Sequence, residues 1–113
     1  MSESPLPART PALNRRRREL VPESTAAFDA FSAQVFSAGA LDEKTKQLIA
    51  IAVGHITQCP YCIDSHTKQA AQKGASEEEI MEAVWVAAQM NAGAAFAHSV
   101  VAMNALKKDQ VPG

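Results

Sequence analysis

The sequence predicts an all-α chain, and three observations carry that prediction. Of the 113 residues, 22 are alanine, while aromatic residues make up only 5%; alanine loses no side-chain entropy in a helix and packs poorly on a pleated surface. Apolar positions recur at three- and four-residue spacing from about residue 22 onward. No alternating apolar and polar run bounded by turn residues suggests a strand. The nearest candidate, Leu48 to Ile56, contains two alanines and follows a capped, charged turn, which favours helix. With 47% hydrophobic and 20% charged residues, the chain has the composition of one globular domain rather than a disordered segment.

Residues 1–20 hold Pro5, Pro7 and Pro11 and no apolar periodicity, and read as a flexible, basic, proline-rich arm. Residues 21–108 read as one helical domain and 109–113 as a C-terminal tail. The first helix spans roughly Pro22 to Ser37, with Phe28, Phe31, Val35 and Phe36 on one stripe and Gly39 beyond its end. Asp42 is placed to cap a second, whose Leu48, Ile49, Ile51, Ala52 and Ile56 form a broad apolar face. The Cys59-Pro60 step interrupts it, because proline disfavours helical geometry in the residue before it. Pro60 then opens a third helix that continues to Lys73 and stops at Gly74. Ser76 with Glu79 is a capping box for a fourth, with Ile80, Val84, Ala87 and Ala88 on its buried stripe. Asn91 and Gly93 are expected to break it before a last helix from about Ala94 to Leu106. The expected architecture is a bundle of about five to six helices. Alanine supplies little core volume, so the bundle is expected to be oligomeric.

The net charge of −1 hides an asymmetry. All five arginines lie in the first 18 residues, which carry +4, and the remainder carries −5. A basic nucleic-acid-binding domain is not indicated. No apolar run of about 18 residues is present, and no apolar stretch follows the arginines as an export signal requires. The expectation is a cytoplasmic protein with no membrane or nucleic-acid partner.

Both cysteines lie in Cys59-Pro60-Tyr61-Cys62. At a helix start this spacing puts two sulfurs on the first turn, close enough for a disulfide. The exposed N–H groups and the helix dipole there favour thiolate over thiol. His66 follows Cys62 by one turn on the same face, in reach as base or charge partner. A thiolate, a resolving thiol and a titratable base are what reversible thiol oxidation needs. Two other readings stay open. The pair could be an inert structural disulfide. It could also be a zinc site of Cys59, Cys62, His66 and His55 or His98, although no second ligand pair stands at finger spacing. Haem attachment would need histidine where Ile63 stands. The CPYC motif also occurs in glutaredoxins, whose sheet and cis-proline loop find no counterpart here. No cofactor and no metal are expected.

The stretch from Leu41 to Ser99, with its LDEKTKQLIAIAV helix, CPYC, His66 closing C-x2-C-x3-H and Gly74-Ala75-Ser76 leading into EEEIMEAV, resembles the AhpD-like alkylhydroperoxidases of the carboxymuconolactone decarboxylase superfamily. The resemblance is dense over about half the chain and extends loosely to Pro22. It implies a helical subunit in a homo-oligomer, a trimer or a hexamer, that reduces hydroperoxides at a cysteine pair. Cys62 would be the peroxidatic thiol, His66 its base and Cys59 the resolving thiol, with a dithiol protein or small thiol as reductant. True lactone decarboxylases of the superfamily generally lack the pair.

One position departs from the pattern. The family's proton relay starts at a glutamate twelve residues before the first cysteine, and here Gln47 stands there. A carboxamide orients its neighbours but does not accept a proton at neutral pH. Glu43, one turn earlier, is the candidate substitute, set against the plainer role of a solvated first-turn acid. His55 and Tyr61 are candidates to border the pocket. The expected function is a thiol-dependent peroxide or disulfide oxidoreductase, with peroxidase activity weakened by Gln47. The alternatives are a redox-sensing or structural helical oligomer whose disulfide does not turn over, and a lactone decarboxylase-type enzyme.

Overall fold

Five α-helices, with no strand among the described residues, make up the computed structural model, which describes residues 6–110, the last three by backbone only. In chain order they are α1 (Pro11–Leu20), α2 (Pro22–Phe36), α3 (Glu43–Ile56), α4 (Pro60–Gln72) and α5 (Glu77–Gln110). The chain divides into two compact units after Ser37, and not at residue 20 as the composition suggested.

The first unit corrects the reading of residues 1–20 as an arm: Pro11–Leu20 is helical. Thr10 caps it by accepting the Leu13 N–H on its hydroxyl at 3.2 Å, and Pro11 occupies the first turn, where its missing N–H costs nothing. Arginine is a good helix former, and Arg17 and Arg18 fall in the last turn, where the dipole favours cations. These local terms outweigh the missing apolar stripe. Arg18 forms a salt bridge to Asp29 of α2, and the Phe28 and Phe31 rings of α2 lie 6.4 Å apart in a tilted arrangement. Residues 1–5 of the expected arm lie outside the described residues.

The second unit packs α3 against both α4 and α5. Its fully enclosed apolar side chains are Ile51, Ala70 and Ala87. The two alanines are small enough to let the helices approach closely. The ends follow the caps read from the sequence. Asp42 accepts the Thr45 N–H at 2.7 Å, and Ser76 and Glu79 exchange both bonds of a capping box at 2.9 and 3.1 Å. Gly74, at φ +93°, ends α4, with the Ala75 N–H reaching Ala70 O at 2.9 Å.

One expected boundary is absent. Asn91 and Gly93 do not break the chain, and α5 is a single 34-residue helix of about 51 Å. Gly93 takes no left-handed conformation. A lone helical glycine costs only about 1 kcal/mol against alanine, and the alanines at 92, 94, 95 and 97 offset it. Asp109 and Gln110, assigned to the tail, belong to this helix, and residues 111–113 lie outside the described residues. No described helix is long and apolar enough to cross a membrane.

Candidate active site

The site is built by a tight reversal between α3 and α4. Helix α3 ends in a Schellman turn: the Cys59 N–H reaches back to Gly54 O at 3.0 Å and the Gln58 N–H to His55 O at 3.4 Å. The turn requires a left-handed residue, and Gln58 supplies it at φ +56°. Pro60 then confines Cys59 to extended backbone (φ −109°, ψ 95°), which makes Cys59 the N-cap of α4. Its Sγ accepts the Cys62 N–H at 3.2 Å. The two cysteines are joined in a disulfide with Cα atoms 5.3 Å apart, as the spacing at a helix start predicts.

Gly54 brings α3 against this turn. A Cβ on Gly54 would lie 3.4 Å from Cys62 Cβ and 3.5 Å from Ile63 Cγ1, so the cysteine turn of α4 rests directly on the α3 backbone. Sequence reasoning passed over this residue. A glycine inside an apolar helical run was the available signal, since it usually marks a close approach.

Where α3 packs on α4 lies a row of polar side chains. His66 Nδ1 lies 2.7 Å from Gln47 Oε1, Gln47 Nε2 donates to Gln69 Oε1 at 3.3 Å, and Gln69 Nε2 donates to Ser65 Oγ at 3.0 Å. Gln47 is only 3% exposed, yet both ends of its amide are hydrogen-bonded. Burial of such an amide is tolerable only on those terms. The structure thus joins Gln47 to His66, and it adds Gln69 and Ser65, which the sequence did not single out. No apolar periodicity marks them, and only the packing of α3 on α4 brings Gln69 to Gln47.

The remaining candidates are placed elsewhere. Glu43 pairs with Lys73 at 2.8 Å across the α3–α4 layer, so its carboxylate stands in an ion pair rather than in the His66 row. His55 Nδ1 lies 2.8 Å from Ile51 O within its own helix. A carbonyl only accepts, so Nδ1 carries the proton there and Nε2 is the nitrogen left to bond elsewhere. Tyr61 is half-buried within the disulfide loop. Exposed His98 lies far along α5. Among the described residues, no three His, Cys, Asp or Glu side chains are grouped to hold a metal ion. Beside the turn, Pro60, Ile63, Asp64, Thr67 and Lys68 line an open, mainly apolar depression of about 440 Å³.

A family model, that of carboxymuconolactone decarboxylase, matches residues 22–105, from the first turn of α2 almost to the end of α5. The chain belongs to the carboxymuconolactone decarboxylase family. It is 58% identical over 87 residues to "Uncharacterized protein 4 in cox locus" of Paracoccus denitrificans, with 77% of each chain covered. Among solved structures it is similar to a carboxymuconolactone decarboxylase family protein of Legionella pneumophila in its apo form, at a TM-score of 0.68 and 31% identity over 86% of this chain and 87% of that one. A Thermotoga maritima family member, described with a candidate role in antioxidative response, matches at a TM-score of 0.58 and 31% identity, covering 78% and 91%. The helical fold of this carboxymuconolactone decarboxylase family member is therefore the family's, and its AhpD-like features are the disulfide and the histidine one turn beyond it.

Proposed function

We propose that this family member is a thiol-dependent hydroperoxide reductase of the AhpD-like type, turning over the Cys59–Cys62 pair with His66 as base. The observation that carries the reading is the placement of the pair: both sulfurs sit on the first turn of α4, with an N–H on Cys59 Sγ and a histidine one turn past Cys62. In the dithiol form, His66 takes the Cys62 proton. The thiolate attacks one peroxide oxygen, the O–O bond breaks, and the departing alkoxide takes a proton to leave as alcohol. Cys62 is then a sulfenic acid. The Cys59 thiol attacks its sulfur, the S–O bond breaks, water leaves with the proton, and the disulfide forms. An external dithiol reduces it by thiol–disulfide exchange. The net reaction converts one hydroperoxide and one dithiol to alcohol, water and a disulfide. The same exchange step supports reduction of disulfide substrates.

The proposal extends to the assembly. Large apolar residues along α5, among them Trp85, Phe96, Val100 and Met103, stand 61–82% exposed in the single chain. A soluble chain rarely leaves so long an apolar strip uncovered, and we assign it to contacts between copies in a cytoplasmic homo-oligomer, a trimer or a hexamer.

The test is thiolate titration by absorbance near 240 nm in the reduced protein, followed by peroxide consumption with a recycling dithiol. A Cys62 pKa below the free-cysteine value of about 8.5 that rises in His66→Ala is expected, with multiple turnovers abolished by Cys62→Ser. A single turnover that then stops marks a sensor. Lactone decarboxylation that survives Cys62→Ser, found in place of peroxide turnover, marks lactone chemistry, and either result removes the reductase reading.

A further inference from the structure

We propose that Gln69, with Ser65 behind it, is a positioning residue that fixes which nitrogen of His66 carries the proton. The inference deepens the reductase reading and rests on it for its purpose, though not for its evidence. That evidence is the direction of the hydrogen bonds. An amide is polar in a fixed sense, with an oxygen that accepts and a nitrogen that donates. Gln69 spends its nitrogen on Ser65 Oγ at 3.0 Å and so offers its oxygen to Gln47 Nε2 at 3.3 Å. Gln47 in turn has its oxygen left for His66, 2.7 Å from Nδ1. The bond forms only if Nδ1 bears hydrogen. Neutral His66 is thus held as the Nδ1–H tautomer, and Nε2 is its lone-pair nitrogen.

The consequence for a base is specific. When Nε2 takes a proton, the imidazolium still presents Nδ1–H to the same Gln47 oxygen. No side chain turns between the base and its conjugate acid, so proton uptake carries no reorganisation cost in this row. In the reversed row, Ser65 would donate to Gln69 and Gln47 nitrogen would face Nδ1. That arrangement would be broken by every protonation, because two donors would then meet. The observed polarity is the one compatible with both charge states. Gln69 and Ser65 touch no reacting atom; they act through Gln47.

Nitrogen-15 NMR of histidine-labelled protein tests this, with the His66 signals assigned by their loss in His66→Ala. Above its imidazole titration, wild-type His66 is expected as the Nδ1–H tautomer. In Gln69→Leu the Gln47 amide loses its outer partner and is free to turn. The ratio of Nδ1–H to Nε2–H is then expected to fall about tenfold, the scale of one unsatisfied buried hydrogen bond. Gln69→Glu, nearly isosteric and with oxygens that accept from Gln47, is expected to keep Nδ1–H, so it serves where the leucine variant folds poorly. Wild-type His66 in the Nε2–H form would overturn the assignment, as would an unchanged ratio in folded Gln69→Leu or loss of Nδ1–H in Gln69→Glu. Peroxide turnover is a separate readout. The tautomer result without turnover sinks the reductase reading alone, and turnover with Nε2–H sinks only the role of Gln69.

Discussion

His66 meets a neutral amide, not a carboxylate: its Nδ1 lies 2.7 Å from Gln47 Oε1, and Gln47 is almost wholly buried. The amide orients the ring but carries no charge to balance an imidazolium. That one atom's difference, oxygen to nitrogen, separates a row that only aims a base from one that also stabilises the proton it has taken.

Gln47→Glu should restore the charge. An acidic partner at this distance favours imidazolium, which in turn favours the Cys62 thiolate. The thiol pKa is expected to fall and the peroxide rate to rise about tenfold, less than the roughly 10²–10⁴-fold of a complete general base because His66 is already present. Thiolate titration and stopped-flow peroxide kinetics check it, and identical values in the two proteins would show that Gln47 is not on the route to the cysteine.

Gly54 admits a methyl group and little more. A Cβ there meets Cys62 Cβ at 3.4 Å, ordinary van der Waals contact, so Gly54→Ala should fold, helped by roughly 0.5–1 kcal/mol of helix propensity. Gly54→Val forces α3 off the cysteine turn and should cost roughly 1–3 kcal/mol. Denaturant midpoints of the two variants should therefore move in opposite directions relative to wild type.

Gln58 bears a left-handed backbone at φ +56°. Glycine takes that conformation without the Cβ penalty, so Gln58→Gly should stabilise the protein by about 0.5–1 kcal/mol. Thermal melts measure the gain. A lower midpoint would mean that the Gln58 side chain contributes more to the turn than its backbone costs.

Acid should loosen the α3–α5 layer. Lys44 pairs with Glu79 at 2.9 Å and holds the Glu79 carboxyl below its usual 4.5, with help from the Ser76 N–H. Hydrogen bonds from Thr45 likewise hold Asp42 below 3.8. Both groups have lower pKa values folded than unfolded. Their contribution is therefore complete above the ordinary carboxylate range and is lost as pH falls through the depressed values. Lys44 is raised above 10.5 by the same pair, so its share is complete below that value and is lost as pH rises through the raised one. Melting temperature against pH should be flat at neutrality and fall below about pH 4.5, and Glu79→Gln should flatten that acid limb.

Much of the fold was legible because it is written in local terms. The Asp42 cap, the Ser76–Glu79 box, the proline at the start of α4 and the glycine after it each act within one turn, and each stands where the sequence placed it. The errors have a local cause as well. Proline and arginine density hid α1, whose helix rests on a threonine cap and on propensity without an apolar stripe. Gly93 looked like a stop signal in a stretch where alanine prevails. At the site, the two cysteines and their helix start were readable from spacing. The Gln47–Gln69 contact spans 22 residues and depends on how α3 lies on α4, which no short window records.

The N-cap of α4 is itself a redox atom. Cys59 Sγ receives the Cys62 N–H, and the strength with which that sulfur accepts the bond changes when the disulfide becomes a thiol. Folding and reduction are thus two edges of one thermodynamic square. Whatever the cap gains on reduction stabilises α4 and, by the same amount, the reduced pair, which raises its potential and makes the disulfide a stronger oxidant. The helix and the electron pair cannot be tuned separately.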